Sequence, residues 1–196
     1  MESAPTKLPA LAITCTSSDC EQNLHCFRKT KRLIQLNLAG ACRSCGAQLV
    51  DWPRVHQLSL DDVDYTFESL KKELIRHHFW HKKIDQHAIN YALRKGRFGI
   101  KSAIRHRLEQ ALAPAEPAFD GRQTPPTGNP IYYAQHATAS CCRKCAEEWH
   151  GIPLGRELTD EEVAYLTDLA YRYVVERVPQ MTDAGQKVPP IRNHHS

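Results

Sequence analysis

Two clusters of cysteine and histidine constrain this chain more than any other feature. Six candidate ligands lie near the front, Cys15, Cys20, His25, Cys26, Cys42 and Cys45, and five lie in HATASCCRKCAEEWH, namely His136, Cys141, Cys142, Cys145 and His150. The eight cysteines fall entirely within these two stretches. Thiols at close spacing in a reducing compartment read as metal ligands sooner than as a disulfide framework. The stretch CRSCG is a zinc knuckle, because two thiolates separated by two residues can take adjacent corners of a tetrahedron. The glycine that follows permits the tight turn.

A tetrahedral zinc needs four ligands, so one of the five front cysteines is spare, and His25 is available besides. The conventional spacers select Cys15, Cys20, Cys42 and Cys45, with Cys26 as the competitor for a place in the first pair. In the second cluster Cys142 and Cys145, or Cys141 and Cys145, would share one helix face. His136 before that helix and His150 near its end could complete a Cys2His2 or Cys3His site, although His150 is rotated away from Cys145 in a regular helix. An iron–sulfur cluster would call for more thiolates than this stretch offers. Two other arrangements compete: a reactive cysteine with a histidine base, and one treble-clef site shared by Cys42, Cys45, Cys142 and Cys145. The expectation is about two zinc ions per chain.

The rest of the chain reads as helical. At 196 residues it is long enough for a small metal module, residues 1–55, in front of an ordinary domain, residues 56–178. Ser59 with Asp61 and Asp62 suits a helix start, and Val63, Phe67, Leu70, Leu74 and Phe79 recur at helical spacing. A second helix is expected over Ile84–Leu93, ending near Gly96, and a third over Ile100–Leu112, which Pro114 stops. The segment PAEPAFDGRQTPPTGNPIYYAQ is dense in proline and glycine, and its aromatic and polar content favours an ordered functional loop. Further helices should open near Ser140 and at Thr159, where Glu162 completes a capping box. Residues 179–196 read as a disordered tail. The fold class is therefore mainly α, with a zinc module in front.

The formal charge of +4 is unevenly spread. Eleven Lys and Arg residues crowd the stretch from Lys71 to Arg107, which suits a polyanion or, equally, an ordinary solvated helix face. Arg94, Lys95, Arg97, Lys101 and Arg105 are the candidate phosphate contacts, with Phe79, Trp80 and Phe98 as candidate stacking residues. No stretch approaches the roughly 20 apolar residues needed to span a bilayer, and the start MESAPTKLPALAITC lacks the layout of a signal peptide. A cytoplasmic location without a membrane partner is expected.

From about Lys95 to Val175 the order of residues, with the matching text RLEQALAPAEPAFDGRQTPPTGNPIYYAQHATASCCRKCAEEWHGIPLGRELTDEEV inside it, resembles a bacterial family known as domain of unknown function 4186. The resemblance runs through LAPA, DG.QTP, G.P, AQHATA, CCR.C, WH.IP and GREL. It implies that the front module is an addition and that the second cluster completes its site without the front cysteines. It also marks Asp120, Gln123, Thr124 and His136 as polar positions beside the metal. No activity comes with it. Three functions are weighed in order: a zinc-built binding module that associates with nucleic acid, a zinc-dependent hydrolase (nuclease-like or deaminase-like) with an open metal site at the second cluster, and a protein adaptor. The hydrolase would have Asp120 or Glu147 as base, and HHFWH, with His77, His78 and His81, offers a further metal or proton-transfer group.

Overall fold

The computed structural model describes residues 13–189 and Ile191; what was expected of the first twelve residues and the extreme tail lies outside them. The described residues contain helices and no strand, only two isolated bridges, Asp19 with Leu24 and His25 with Glu73. The helices are α1 (Lys31–Gln35), α2 (Trp52–Val55), α3 (Val63–Leu70), α4 (Leu74–His81), α5 (Gln86–Ala111), α6 (Pro130–Ala137), α7 (Arg143–His150) and α8 (Asp160–Arg177). None is long and apolar enough to cross a membrane.

Local chemistry accounts for the helix starts. Thr159 accepts from the Glu162 amide while the Glu162 carboxylate accepts from the Thr159 amide, so the capping box forms as its sequence predicts. Asp85 caps α5 by accepting from the Ala88 amide at 2.9 Å. Asn129 caps α6, whose first residue is Pro130, where the missing N–H costs nothing. That helix was expected to be loop, since its proline-rich approach masked an apolar run of only eight residues.

The helix expected from Ser59 through Phe79 divides at Lys71–Glu73. The front segment is the cause: the His25 amide donates to Lys72 O at 2.7 Å and the Leu74 amide donates to His25 O at 2.9 Å, so these backbone groups are spent between segments. The break at Gly96 appears as predicted, inside an otherwise continuous α5, with φ +64°. A methyl group there would overlap the Gly185 backbone, because the chain after α8 crosses α5 at this point. The Arg97 amide donates to Thr182 O at 2.9 Å, the Gln186 amide donates to Leu93 O at 2.9 Å, and Met181 is buried. This part of the tail, which composition alone marked as disordered, is docked.

One apolar core joins the parts. α5 lies along α8, and α6 packs against both α4 and α8. Phe27 and Cys42 of the front segment belong to the same buried cluster as Trp149, Phe79 and Leu166. Phe27 sits edge-on to both Trp52 and Trp149, at centroid distances of 5.9 and 5.8 Å.

Candidate metal centres

The front centre gathers Cys20, His25, Cys42 and Cys45, whose ligand atoms all lie within 4.8 Å of one another. Cys20 opens a single 3-10 turn capped by Asp19, and Asn23 ends that turn in a left-handed conformation that returns the chain toward His25. Cys42 and Cys45 sit on the knuckle, where Gly46 takes φ +78° and its amide donates to Cys42 O at 2.8 Å. Burial opposes ionisation of Cys42, but backbone amides of Cys26, Cys45 and Ser44 directed at its sulfur outweigh burial and bring its pKa down to about 6.

The distances fit one tetrahedral ion. Bonds of about 2.3 Å to sulfur and about 2.05 Å to nitrogen, at a tetrahedral angle, separate two sulfurs by about 3.8 Å and a sulfur and nitrogen by about 3.6 Å. The observed separations are 3.7 Å for Cys20 Sγ to Cys42 Sγ and 3.5 Å for Cys45 Sγ to His25 Nδ1. A disulfide would need about 2.05 Å. His25 is also oriented, since its Nε2 lies 3.0 Å from Asn23 Oδ1. Donation of Nε2–H to that oxygen leaves the Nδ1 lone pair facing the cysteines.

Neither Cys15 nor Cys26 belongs to this group. The structure sets His25 in the fourth position that spacer length had assigned to one of them. The buried Cys26 thiol donates instead to Cys15 O at 3.4 Å, which fixes the direction of Cys15. The four-residue spacer between Cys15 and Cys20 was therefore a misleading guide, because Cys20 joins the front group while Cys15 lines the cavity at the second centre.

The second centre gathers Cys141, Cys142 and Cys145, again within 4.8 Å of one another. Cys142 is the N-cap of α7, and its sulfur accepts from the Cys145 amide at 3.4 Å. Arg143 locks the approach: its guanidinium donates to the carbonyls of Leu112, Pro153 and Arg156, and its amide donates to Asp120 at 2.9 Å. The thiols face the fully buried Arg76 of α4, which donates to Cys145 Sγ at 3.1 Å and lies 3.7 Å from Cys141 Sγ. Hydrogen bonds from Cys141, Cys142 and Cys15, reinforced by the Arg76 charge, hold the Cys145 thiol well below its usual range. Arg76 in turn is paired with the equally buried Glu73 at 3.0 Å, and Glu73 accepts from Trp149 Nε1 at 2.8 Å.

A cavity of about 260 Å³ opens onto these sulfurs, lined also by Cys15, Arg28, Asp120, Thr124, His136 and Lys144. His136 is stacked on Phe79, and its Nε2 lies 3.1 Å from Thr124 O. Burial pushes its pKa down to about 4. His150 sits elsewhere: its Nε2 lies 2.8 Å from Thr138 O and its ring meets Tyr165, so the structure does not bring it to the cysteines. The two centres are separate groups, and the shared treble clef does not form.

The basic stretch is largely engaged in internal contacts. Arg97 pairs with Asp183, Lys101 with Asp168, and Arg105 with Glu109 and Asp160. Arg94 and Lys95 are exposed, whereas Phe79 and Trp80, expected as stacking candidates, are core residues. The HHFWH histidines line a separate shallow cavity with Asp19.

A family model described as Domain of unknown function (DUF4186) matches residues 64–175. The chain belongs to this family. The match begins well before Lys95, where the motifs first became recognisable, and takes in α3, α4 and Arg76. No solved structure matches the chain. The front centre lies outside the DUF4186 segment, and the three clustered thiols of the second centre lie within it.

Proposed function

We propose that this protein is a zinc-dependent binding module of a reducing, cytoplasmic compartment. Two zinc ions fix its cysteine-rich front segment onto the DUF4186 helices, and the cavity beside the second ion is its recognition surface. The observation that carries this reading is the spacing of the ligand atoms, 3.7 Å between sulfurs and 3.5 Å between sulfur and imidazole nitrogen, which suits a single tetrahedral ion. A multi-iron cluster distributes its thiolates over separate irons, so compact groups of this kind favour a mononuclear metal. Zinc suits a mixed thiolate and imidazole set, and it supplies folding free energy to a segment with little regular structure of its own.

The nucleic-acid and hydrolase readings draw less support. Three of the five candidate phosphate contacts are already paired with carboxylates, and pairing of that kind removes the excess charge that counterion release requires. Asp120 accepts from Gln123 and from the Arg143 amide, so it acts as a loop clamp rather than a free base. Metal analysis of the purified full chain tests the proposal. About two zinc ions per chain, with structural loss in the front segment on chelation, are expected. One zinc or none, or an iron chromophore, would overturn it.

A further inference from the structure

We infer that Cys15 is the fourth ligand of the second centre, which makes that centre a four-thiolate zinc site closed by a residue from outside the family segment. The inference rests on the two-zinc reading above. The resemblance implied that the cluster at Cys141–Cys145 completes its own site, yet the geometry points otherwise. Of the two histidines that would complete it locally, His150 is committed to Thr138 O, and His136 has one nitrogen committed to Thr124 O and its ring stacked on Phe79. Three thiolates leave one tetrahedral corner to fill.

Cys15 is the front cysteine that lines the cavity at this centre, with its sulfur outside the 4.8 Å group of the other three. It shares that cavity with Cys141, Cys142 and Cys145, together with Arg28, Asp120, His136 and Lys144. Its position is set from behind by the Cys26 thiol, which donates to its carbonyl at 3.4 Å, and by Ser17, whose amide donates to Thr14 O at 3.1 Å. The electrostatics agree with an anionic centre. Four thiolates around Zn2+ carry a net charge of about −2. Two arginines face the group, Arg76 by direct hydrogen bonds and Arg28 close enough for its charge to interact with Cys15, Cys142 and Cys145.

This assignment resolves the surplus of front ligands. Cys15 serves one ion and Cys20 the other, so the four residues between them tether the two centres, and protein sulfur completes the second ion's coordination while the cavity remains beside it. In the alternative, a water or ligand atom would take the open corner and the metal would face the cavity.

The test uses zinc-loaded full-length protein and thiol alkylation read by mass spectrometry. Cys15 is only partly buried, so as a free thiol it is accessible to the alkylating agent. As a ligand it should react at least about tenfold more slowly in the zinc form than after chelation, in step with Cys141, Cys142 and Cys145. The Cys15→Ser variant should release one of its two zinc ions to a competing chelator at least about tenfold faster. X-ray absorption adds a direct count: seven thiolates and one imidazole over two ions give about 3.5 sulfurs per zinc in the wild type, against about 3.0 if Cys15 is not a ligand. Equal alkylation of Cys15 with and without zinc, or about 3.0 sulfurs per zinc in the wild type, would overturn the inference, and both are read on unaltered protein. Fewer than two bound zinc ions in the wild type would instead overturn the two-zinc reading beneath it.

Discussion

Arg76→Met is the most informative single change, because one side chain holds together the family core, the front segment and the second centre. Its guanidinium is fully buried, paired with Glu73 at 3.0 Å, and donates to His136 O at 2.6 Å as well as to the thiols. Removing it leaves Glu73 buried with only the Trp149 indole and the Phe27 amide as donors. Breaking a buried pair on one side costs about 3–5 kcal/mol. At about 2.1 cal/mol/K per residue, unfolding 196 residues carries an entropy of about 0.4 kcal/mol/K, so Tm should fall by about 7–12 °C. Differential scanning calorimetry at saturating zinc reads this directly.

The double variant Glu73→Gln with Arg76→Met separates two causes. The Gln carbonyl can still accept from Trp149, and replacing both charges of a buried pair is often near neutral. Any loss that persists in the double variant therefore belongs to the donors aimed at sulfur and at His136 O, and it should appear as faster zinc release. A Tm change of under about 2 °C for the single variant would refute the charge argument. So would a double variant as unstable as the single one with zinc release unchanged.

His25→Ala should abolish tight binding of one zinc while leaving most helix intact, as circular dichroism and metal analysis would show, since its Nδ1 faces Cys45 and its Nε2 is tied to Asn23. Gly96→Ala should cost about 1–3 kcal/mol in urea unfolding, because φ is +64° and the new methyl would meet the Gly185 backbone. Asp85→Ala should cost about 1–2 kcal/mol through loss of the α5 cap and of the contacts to Gly128 N and Tyr133 Oη. Burial works against the Asp85 charge, but those hydrogen bonds outweigh it and depress its pKa below 3.8. Its contribution is thus fully present above pH 3.8 and is lost only as pH falls through the lower folded value.

The sequence carried the helices wherever local chemistry decides them. Thr159 with Glu162, the glycine at 96 and the CRSCG knuckle each produced what their residue types require. It failed where a contact distant in sequence decides. Nothing near Lys71–Glu73 announces that His25 will take up its backbone groups, and Met181 gives no local hint that Gly96 and Gly185 will touch. The ligand sets failed for the same reason. Spacing ranks Cys15 with Cys20 because it measures distance along the chain, whereas coordination depends on where the fold sends each side chain. One local signal for His25 was available: Asn23, two residues away, carries the acceptor that orients an imidazole for Nδ1 ligation.

Acid should separate the buried histidines from the metal ligands. Burial pushes the His150 pKa down from 6.5 to about 4, while the unfolded chain returns it to its ordinary value. A base with a depressed folded pKa is neutral in the fold and takes up a proton on unfolding, so stability is full above about pH 6.5 and declines as pH falls toward 4. At about 1.4 kcal/mol per pH unit the decline reaches at most about 3 kcal/mol. The His150→Phe variant removes this titration without adding a charge, although it also removes the hydrogen bond to Thr138 O. Its stability should be lower at pH 7.5 and should fall less steeply between pH 6.5 and 4.5 than that of the wild type. Urea titrations at saturating zinc measure both slopes, and parallel slopes would mean that His150 is protonated in the fold.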